Sequence, residues 1–204
     1  MSTRDASLRL KSAEAIKKGL SQEGGLFVPC EIPALSQRDM TRLVDMSYID
    51  RAKLVLRKYL TDFTAKQLSD CTEGAYGGGK FGSEKVAPVV KLDDSRYILE
   101  LWHGPTCAFK DMALQILPHF MTTAMKKTGE DKTIVILVAT SGDTGKAALE
   151  GFKDVDGTKI VVFYPGDGVS DMQKLQMMTQ EGANVFVSGI EGNFDDAQNG
   201  VKRI

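Results

Sequence analysis

Cysteine, histidine and tryptophan are scarce in this chain of 204 residues, with three, two and one copies respectively. Cys30, Cys71 and Cys107 are odd in number and far apart, which argues against both a disulfide framework and a zinc cluster. No apolar run is long enough to span a bilayer and the opening residues lack the layout of a secretion signal, so a cytoplasmic location is expected. Neither sign of charge dominates: 26 Lys and Arg face 27 Asp and Glu, a formal net charge of -1. Without a basic tract the chain has no electrostatic footprint for nucleic acid or an anionic membrane. Internal repeats and low-complexity tracts are also missing. What is present is 42% hydrophobic residues, enough for the cores of one or two domains.

The periodicity divides the chain in two. Leu8 to Leu20, Gln37 to Met46 and Tyr48 to Leu60 have helical spacing, and Thr64 with Gln67 has the spacing of a capping box. Gly77-Gly78-Gly79 then interrupts the pattern. A mainly helical domain over 1–85 is expected, followed by an α/β domain over 86–204.

In the second part strands and helices alternate. Tyr97 to Leu101 is a short β-rich run, and a loop leads from it to Lys110 in the opening turn of a helix. Phe109, Met112, Ala113, Ile116, Leu117, Phe120, Met121, Ala124 and Met125 recur at three- and four-residue spacing, with a break expected at Pro118. Ile134 to Ala139 is an unbroken apolar run, as expected of a strand covered on both faces. It feeds into Thr140-Ser141-Gly142-Asp143-Thr144-Gly145 and a helix bearing Ala148, Leu149 and Phe152. Ile160 to Tyr164 and Val185 to Val187 are two more strands, and between them Ser170 and Gln173 cap a helix that Gly182 is placed to end. This alternation predicts a three-layer parallel sheet with flanking helices, with ligands at the carboxyl ends of the strands, near Lys110 and the 141–145 turn.

Two elements carry chemistry. Lys110 offers an amine that partial burial can keep uncharged, as a covalent partner for a carbonyl requires, although most lysines are simply exposed. The Ser141 to Gly145 turn opens a helix, where backbone N–H groups and the helix dipole favour an anion; a capped turn without ligand has the same composition. A nucleotide P-loop is excluded, because Gly145-Lys146 is followed by Ala147 and Thr140 stands where the first glycine belongs. Among the neighbours of the lysine, His103 is a candidate for proton relay, phosphate contact or loop orientation, and Thr106 for a substrate contact. Asp111 matches a helix dipole, and Phe109, Trp102 and Cys107 read as packing. No metal is implied.

Five segments together resemble threonine synthase, a pyridoxal-phosphate enzyme of the tryptophan synthase β fold type (fold type II). They are STRD at 2–5, GGLFVP at 24–29, LELWHGPTCAFKD at 99–111, ATSGDTG at 139–145 and EGNFDDAQ at 191–198, in the family's order and spacing. The resemblance implies pyridoxal 5'-phosphate as cofactor, Lys110 as the lysine that holds it, and Asp143 near its ring oxygen. It assigns the substrate carboxylate to Ser141, Gly142 and Thr144, with Gly145, His103 and Thr106 alongside. The implied reaction converts O-phosphohomoserine and water to L-threonine and phosphate. Threonine synthases are more than twice this length, so the chain is expected to be truncated and inactive alone, its partner being the missing C-terminal half of the same polypeptide. The stripe Phe194, Ala197, Val201, Ile204 running into the terminus agrees with that. Gly192-Asn193-Phe194-Asp195 looks like a phosphate cup, but Asp195 replaces a glycine needed for close approach, so a helix start is expected there instead. Another lyase of this fold type, such as a serine or threonine dehydratase, would share Lys110 and the 141–145 turn but lack STRD, GGLFVP and EGNFDDAQ. A non-catalytic α/β binding domain is the third reading.

Overall fold

The computed structural model describes residues 1–204. It separates into two compact units, one made of 1–78 with 119–131 and the other of 79–118 with 132–204. The sequence reading instead drew one boundary at 85/86. The difference arises because the residues from His119 to Asp131, which follow the lysine loop in sequence, pack with the N-terminal helices.

The first unit is helical, as expected: α1 (Ser12–Lys18), α2 (Gln37–Val44), α3 (Tyr48–Tyr59) and α4 (Ala65–Tyr76). Thr64 and Gln67 form the expected capping box on α4, each side chain bonding the other's backbone N–H. Arg51 on α3 donates to the carbonyls of Leu43 and Val44 at the end of α2, satisfying acceptors that a helix terminus leaves open. Ala13, Phe63, Leu68 and Ala124 form a buried cluster with Ile16, Leu56, Leu60 and Phe120 packed on it. Burying a side chain such as Leu68 contributes about 1.5–3 kcal/mol.

In the second unit, β1 (Val89–Lys91) pairs antiparallel with β2 (Tyr97–Leu99) as a separate hairpin. The run at Tyr97 was expected to feed the parallel sheet, and it does not. The local turn decides this: the Asp93 carboxylate accepts the N–H groups of Ser95 and Arg96 and pairs with the Arg96 side chain, so the chain folds straight back on itself. The helix after the lysine is broken as anticipated, into α5 (Asp111–Leu114) and α6 (Leu117–Lys127). Pro118 lies in the first turn of α6, where its missing N–H costs nothing, so the break precedes it.

The parallel sheet runs β3 (Ile134–Ala139), β4 (Thr158–Pro165), β5 (Val185–Ile190) in that spatial order, linked by α7 (Asp143–Phe152) and α8 (Asp171–Met178) and followed by α9 (Phe194–Arg203). Side chains alternate on β4. Ile160 and Val162 are fully buried, and Val162 faces Gly145 on α7. Phe163 points the other way, toward Ala197 and Val201 of α9. Helix, sheet and helix therefore form three layers. The covering is unequal: β3 was expected to be buried on both faces, but its Val135, on the α9 side, is exposed, as is Phe186 of β5 on the same face. A single helix of ten residues is too narrow to cover that face. α8 ends at Met178 with Thr179 as its cap, ahead of Gly182, which sits in the following loop against Val185.

Candidate active site

Lys110 is the N-cap of α5, a single-turn helix, and is half-buried. Its Nζ lies 4.5 Å from the centre of the Phe109 ring. Phe109, expected in the core, is 61% exposed and serves instead as an apolar floor under the amine. Trp102 and Cys107, read as packing around the loop, are exposed as well.

The loop before Lys110 is tied to the helix by Asp111, which is fully buried. Its carboxylate accepts the Thr106 N–H at 2.8 Å and the Thr106 hydroxyl at 2.7 Å. Asp111 lies in the first turn of α5 as expected and in addition fastens the loop, with the Thr106 hydroxyl proton committed to it. Gly104 has to be glycine, because a Cβ there would overlap the Asp111 carboxyl group. Cys107 adopts a left-handed φ of 59°, a conformation uncommon outside glycine, and donates its N–H to the Gly104 carbonyl. The His103 Nε2 lies 2.7 Å from the Glu100 carboxylate, and its ring stacks on Trp102. That contact favours the loop-orienting reading of His103.

Burial pushes the Asp111 carboxyl above its usual value near 3.8, with the Thr106 hydrogen bonds opposing. A carboxyl raised in the folded state contributes stability that is fully present below the unfolded value and is lost as pH rises through the folded one. Urea unfolding from about pH 3 to pH 7 is therefore expected to show wild type losing stability relative to Asp111→Asn as pH increases. Parallel profiles would contradict this account.

The second element is the turn between β3 and α7. Thr140, 2% exposed, accepts the Gly142 N–H at 3.0 Å and the Gly145 N–H at 2.9 Å on its hydroxyl oxygen and donates to the Gly142 carbonyl. Two of the turn's amides are therefore spent internally. The N–H groups of Ser141, Asp143 and Thr144 have no partner and lie at the positive end of α7. Gly142 combines a φ of 147° with a side chain, Gln173, lying where its own Cβ would be. The Gln173 amide donates to Asp143 Oδ1 at 2.8 Å.

Lys110 and the turn share no hydrogen bond or ion pair. They are held in one unit by α5 packing on α7, where Gly151 allows the approach: any Cβ there would overlap the Leu114 carbonyl. The turn follows a parallel strand as expected. Lys110 follows a hairpin and owes its place to this helix contact.

Sequence reasoning passed over Thr140, Gly104 and the second bond of Gln173. Thr140 directly follows an apolar strand, which was its signal. Gln173 already had a sufficient explanation as a capping-box residue, and that hid its other partner.

The opening motifs have a local explanation. Ser2 of STRD is buried and donates to Glu23, beside Ser21, while Arg4 donates to the Glu23 carbonyl. Gly25 of GGLFVP leaves room for the Ser2 hydroxyl. The motifs thus form one knot in the first unit. The Gly192-Asn193-Phe194-Asp195 segment opens α9 as expected, with Asn193 and Asp196 closing a capping box.

Residues 1–76 match the family model of the threonine synthase N terminus. Threonine synthase from Pseudomonas aeruginosa is 38% identical over 203 residues, covering 99% of this chain and 42% of that protein. The crystal structure of PLP-bound threonine synthase from Brucella melitensis superimposes with a TM-score of 0.85 at 38% identity, over 94% of this chain and 40% of that one. In sequence and fold the chain is therefore similar to the N-terminal region of threonine synthases. Threonine synthase-like 1 from Pongo abelii is 42% identical over 200 residues, which is 94% of this chain and 26% of that protein. The chain thus spans well under half the length of these threonine synthase relatives. The α/β layer carrying Lys110 and the 141–145 turn lies inside the aligned region.

Proposed function

We propose that this chain supplies the amine and the anion cradle of a pyridoxal-phosphate-dependent lyase that converts O-phosphohomoserine and water to L-threonine and phosphate, in a polypeptide of the length of its relatives. The observation that carries this reading is Lys110, half-buried at the start of α5, in one unit with three unpaired N–H groups at the start of α7. Both lie in a chain similar to a threonine synthase with PLP bound.

The residues present fit part of the cofactor. Lys110 offers an amine to its aldehyde carbon, and the free Oδ2 of Asp143 offers an acceptor to its ring hydroxyl. They do not offer a place for its phosphate: at the 192–195 turn the Asn193 N–H is taken by Asp196, and Asp195 and Asp196 add negative charge. That cup belongs to the remainder of a relative-length polypeptide.

When bound, pyridoxal phosphate supplies an electron sink for the substrate's α carbon. Lys110 would hold the cofactor through its Nζ, and as a free amine that Nζ would carry protons among the substrate's α and β carbons. The N–H groups of Ser141, Asp143 and Thr144 hold the substrate carboxylate, with α7 behind them. Gly142 and Gly145 shape the turn rather than donate, since their N–H groups are bound to Thr140. Thr106 and His103 fix the loop that presents Lys110.

The test is to add pyridoxal phosphate to the chain, reduce with borohydride and map the label by mass spectrometry. A single label on Lys110 is expected, with little or no threonine formed by the 204-residue chain. Labels scattered over many lysines, or turnover at the rate of a whole enzyme, would overturn the reading.

A further inference from the structure

Gln173 sits at the first turn of α8 and is bonded at both ends of its amide. The Oε1 atom accepts the Ser170 hydroxyl at 3.1 Å and the Ser170 N–H at 3.4 Å. The Nε2 atom donates to Asp143 Oδ1 at 2.8 Å. A flipped amide would set its N–H₂ against the Ser170 N–H, which can only donate, and its oxygen against the Asp143 carboxylate, which can only accept, so an N–H must face Asp143. The same amide lies against Gly142, in the space a Cβ would fill. One side chain therefore joins the N-terminal cap of α8 to the first residue of α7 and lies across the glycine of the turn.

We propose that Gln173 is a positioning residue: by occupying Asp143 Oδ1 it fixes the carboxylate so that Oδ2 alone is presented to a ligand. The proposal rests on the reading of Asp143 as a contact of pyridoxal phosphate, but its structural half is independent of it. An unheld carboxylate at an exposed helix start samples several rotamers, whereas one oxygen engaged by an amide leaves the other with a defined direction. The capping-box bond alone does not explain the arrangement, since that bond uses only Oε1 and leaves Nε2 free to turn to water.

Glutamate separates the two roles. Gln173→Glu preserves the capping box, which accepts Glu as readily as Gln, but sets a carboxylate against Asp143. Gln173→Ala removes both. The first measurement is the side-chain amide resonance of Gln173 in the 204-residue chain without ligand, with Asp143→Ala as comparison. A hydrogen-bonded Nε2 proton that shifts on loss of Asp143 is expected; an unchanged resonance overturns the proposal whatever pyridoxal phosphate does. The second is the absorbance of pyridoxal phosphate bound to the chain, followed against pH. In Gln173→Glu the helical signal of α8 should persist and Lys110 should still be labelled. The pH midpoint of the bound chromophore should move upward, because added negative charge holds its proton more tightly. Binding should weaken about threefold to tenfold, the scale of one like-charge contact at a partly exposed site. Equal midpoints and affinities in wild type, Gln173→Glu and Gln173→Ala, with the Lys110 label intact, would reduce Gln173 to a helix cap. Absence of the label in wild type would instead count against the proposed function, and the amide resonance would still decide the role of Gln173.

Discussion

Replacing Lys110 with alanine is expected to abolish the reducible attachment of pyridoxal phosphate and to lower threonine formation by a relative-length polypeptide on the order of 10²–10⁴-fold or more, the scale of a positioned proton-transfer group. The same change should leave stability nearly untouched. The Lys110 side chain makes no ion pair or hydrogen bond, and its approach to the exposed Phe109 ring is worth about 0.5–1 kcal/mol at such a site, while the backbone bonds its carbonyl accepts from Ala113 and Leu114 survive the change. A large loss of function beside a small loss of stability marks a residue held for chemistry. Matched thermal melts and single-turnover assays would separate the two. If the variant lost its cooperative melt, Lys110 would be structural; if it kept both the label and the activity, another lysine would carry the cofactor.

Replacing Thr140 with valine is expected to lower stability and ligand binding together. Valine keeps the shape of threonine but removes the oxygen that accepts two buried N–H groups. Gly145 retains a second acceptor, the Gly142 carbonyl at 3.1 Å, whereas Gly142 has no other. A buried donor left without a partner costs about 1–3 kcal/mol. For a chain of this size each kcal/mol corresponds to about 2–4 °C in the melting midpoint. The loss falls on the turn that holds Ser141, Asp143 and Thr144 open to a ligand, so affinity for pyridoxal phosphate should fall together with the melting point. Thr140→Ser keeps the hydroxyl and gives up only a methyl group against Gly145, and should recover most of the binding. A valine variant as stable as wild type would show that the turn is held by its glycines alone.

These two residues show what could be read from the order of amino acids. Lys110 was apparent from its motif, and the 141–145 turn from a strand that runs without interruption into glycines. Thr140 entered the sequence reading only as a mismatch to the P-loop pattern, and its role depends on N–H groups two and five residues further on. Asp111 looked sufficient as a dipole partner; only its burial and its two bonds from Thr106 make it the fastener of the lysine loop. The Tyr97 strand was correctly expected as a strand and wrongly placed, since its partner at Val89 was not recognised.

Periodicity, capping spacings and glycine positions are local signals, and local physics suffices for what they specified: the N-terminal helices, three parallel strands with their helices, and a break near Pro118. Assignments that depend on which distant surfaces meet lay beyond them. The pairing of β2 with β1, the passage of the residues after Pro118 into the helical unit, the approach of α5 to α7 at Gly151 and the clasp of Gln173 on Asp143 join residues that no spacing rule connects. Each is settled by whether a glycine leaves room, a buried donor finds an acceptor or an apolar face finds cover, and those conditions exist only once the chain has folded.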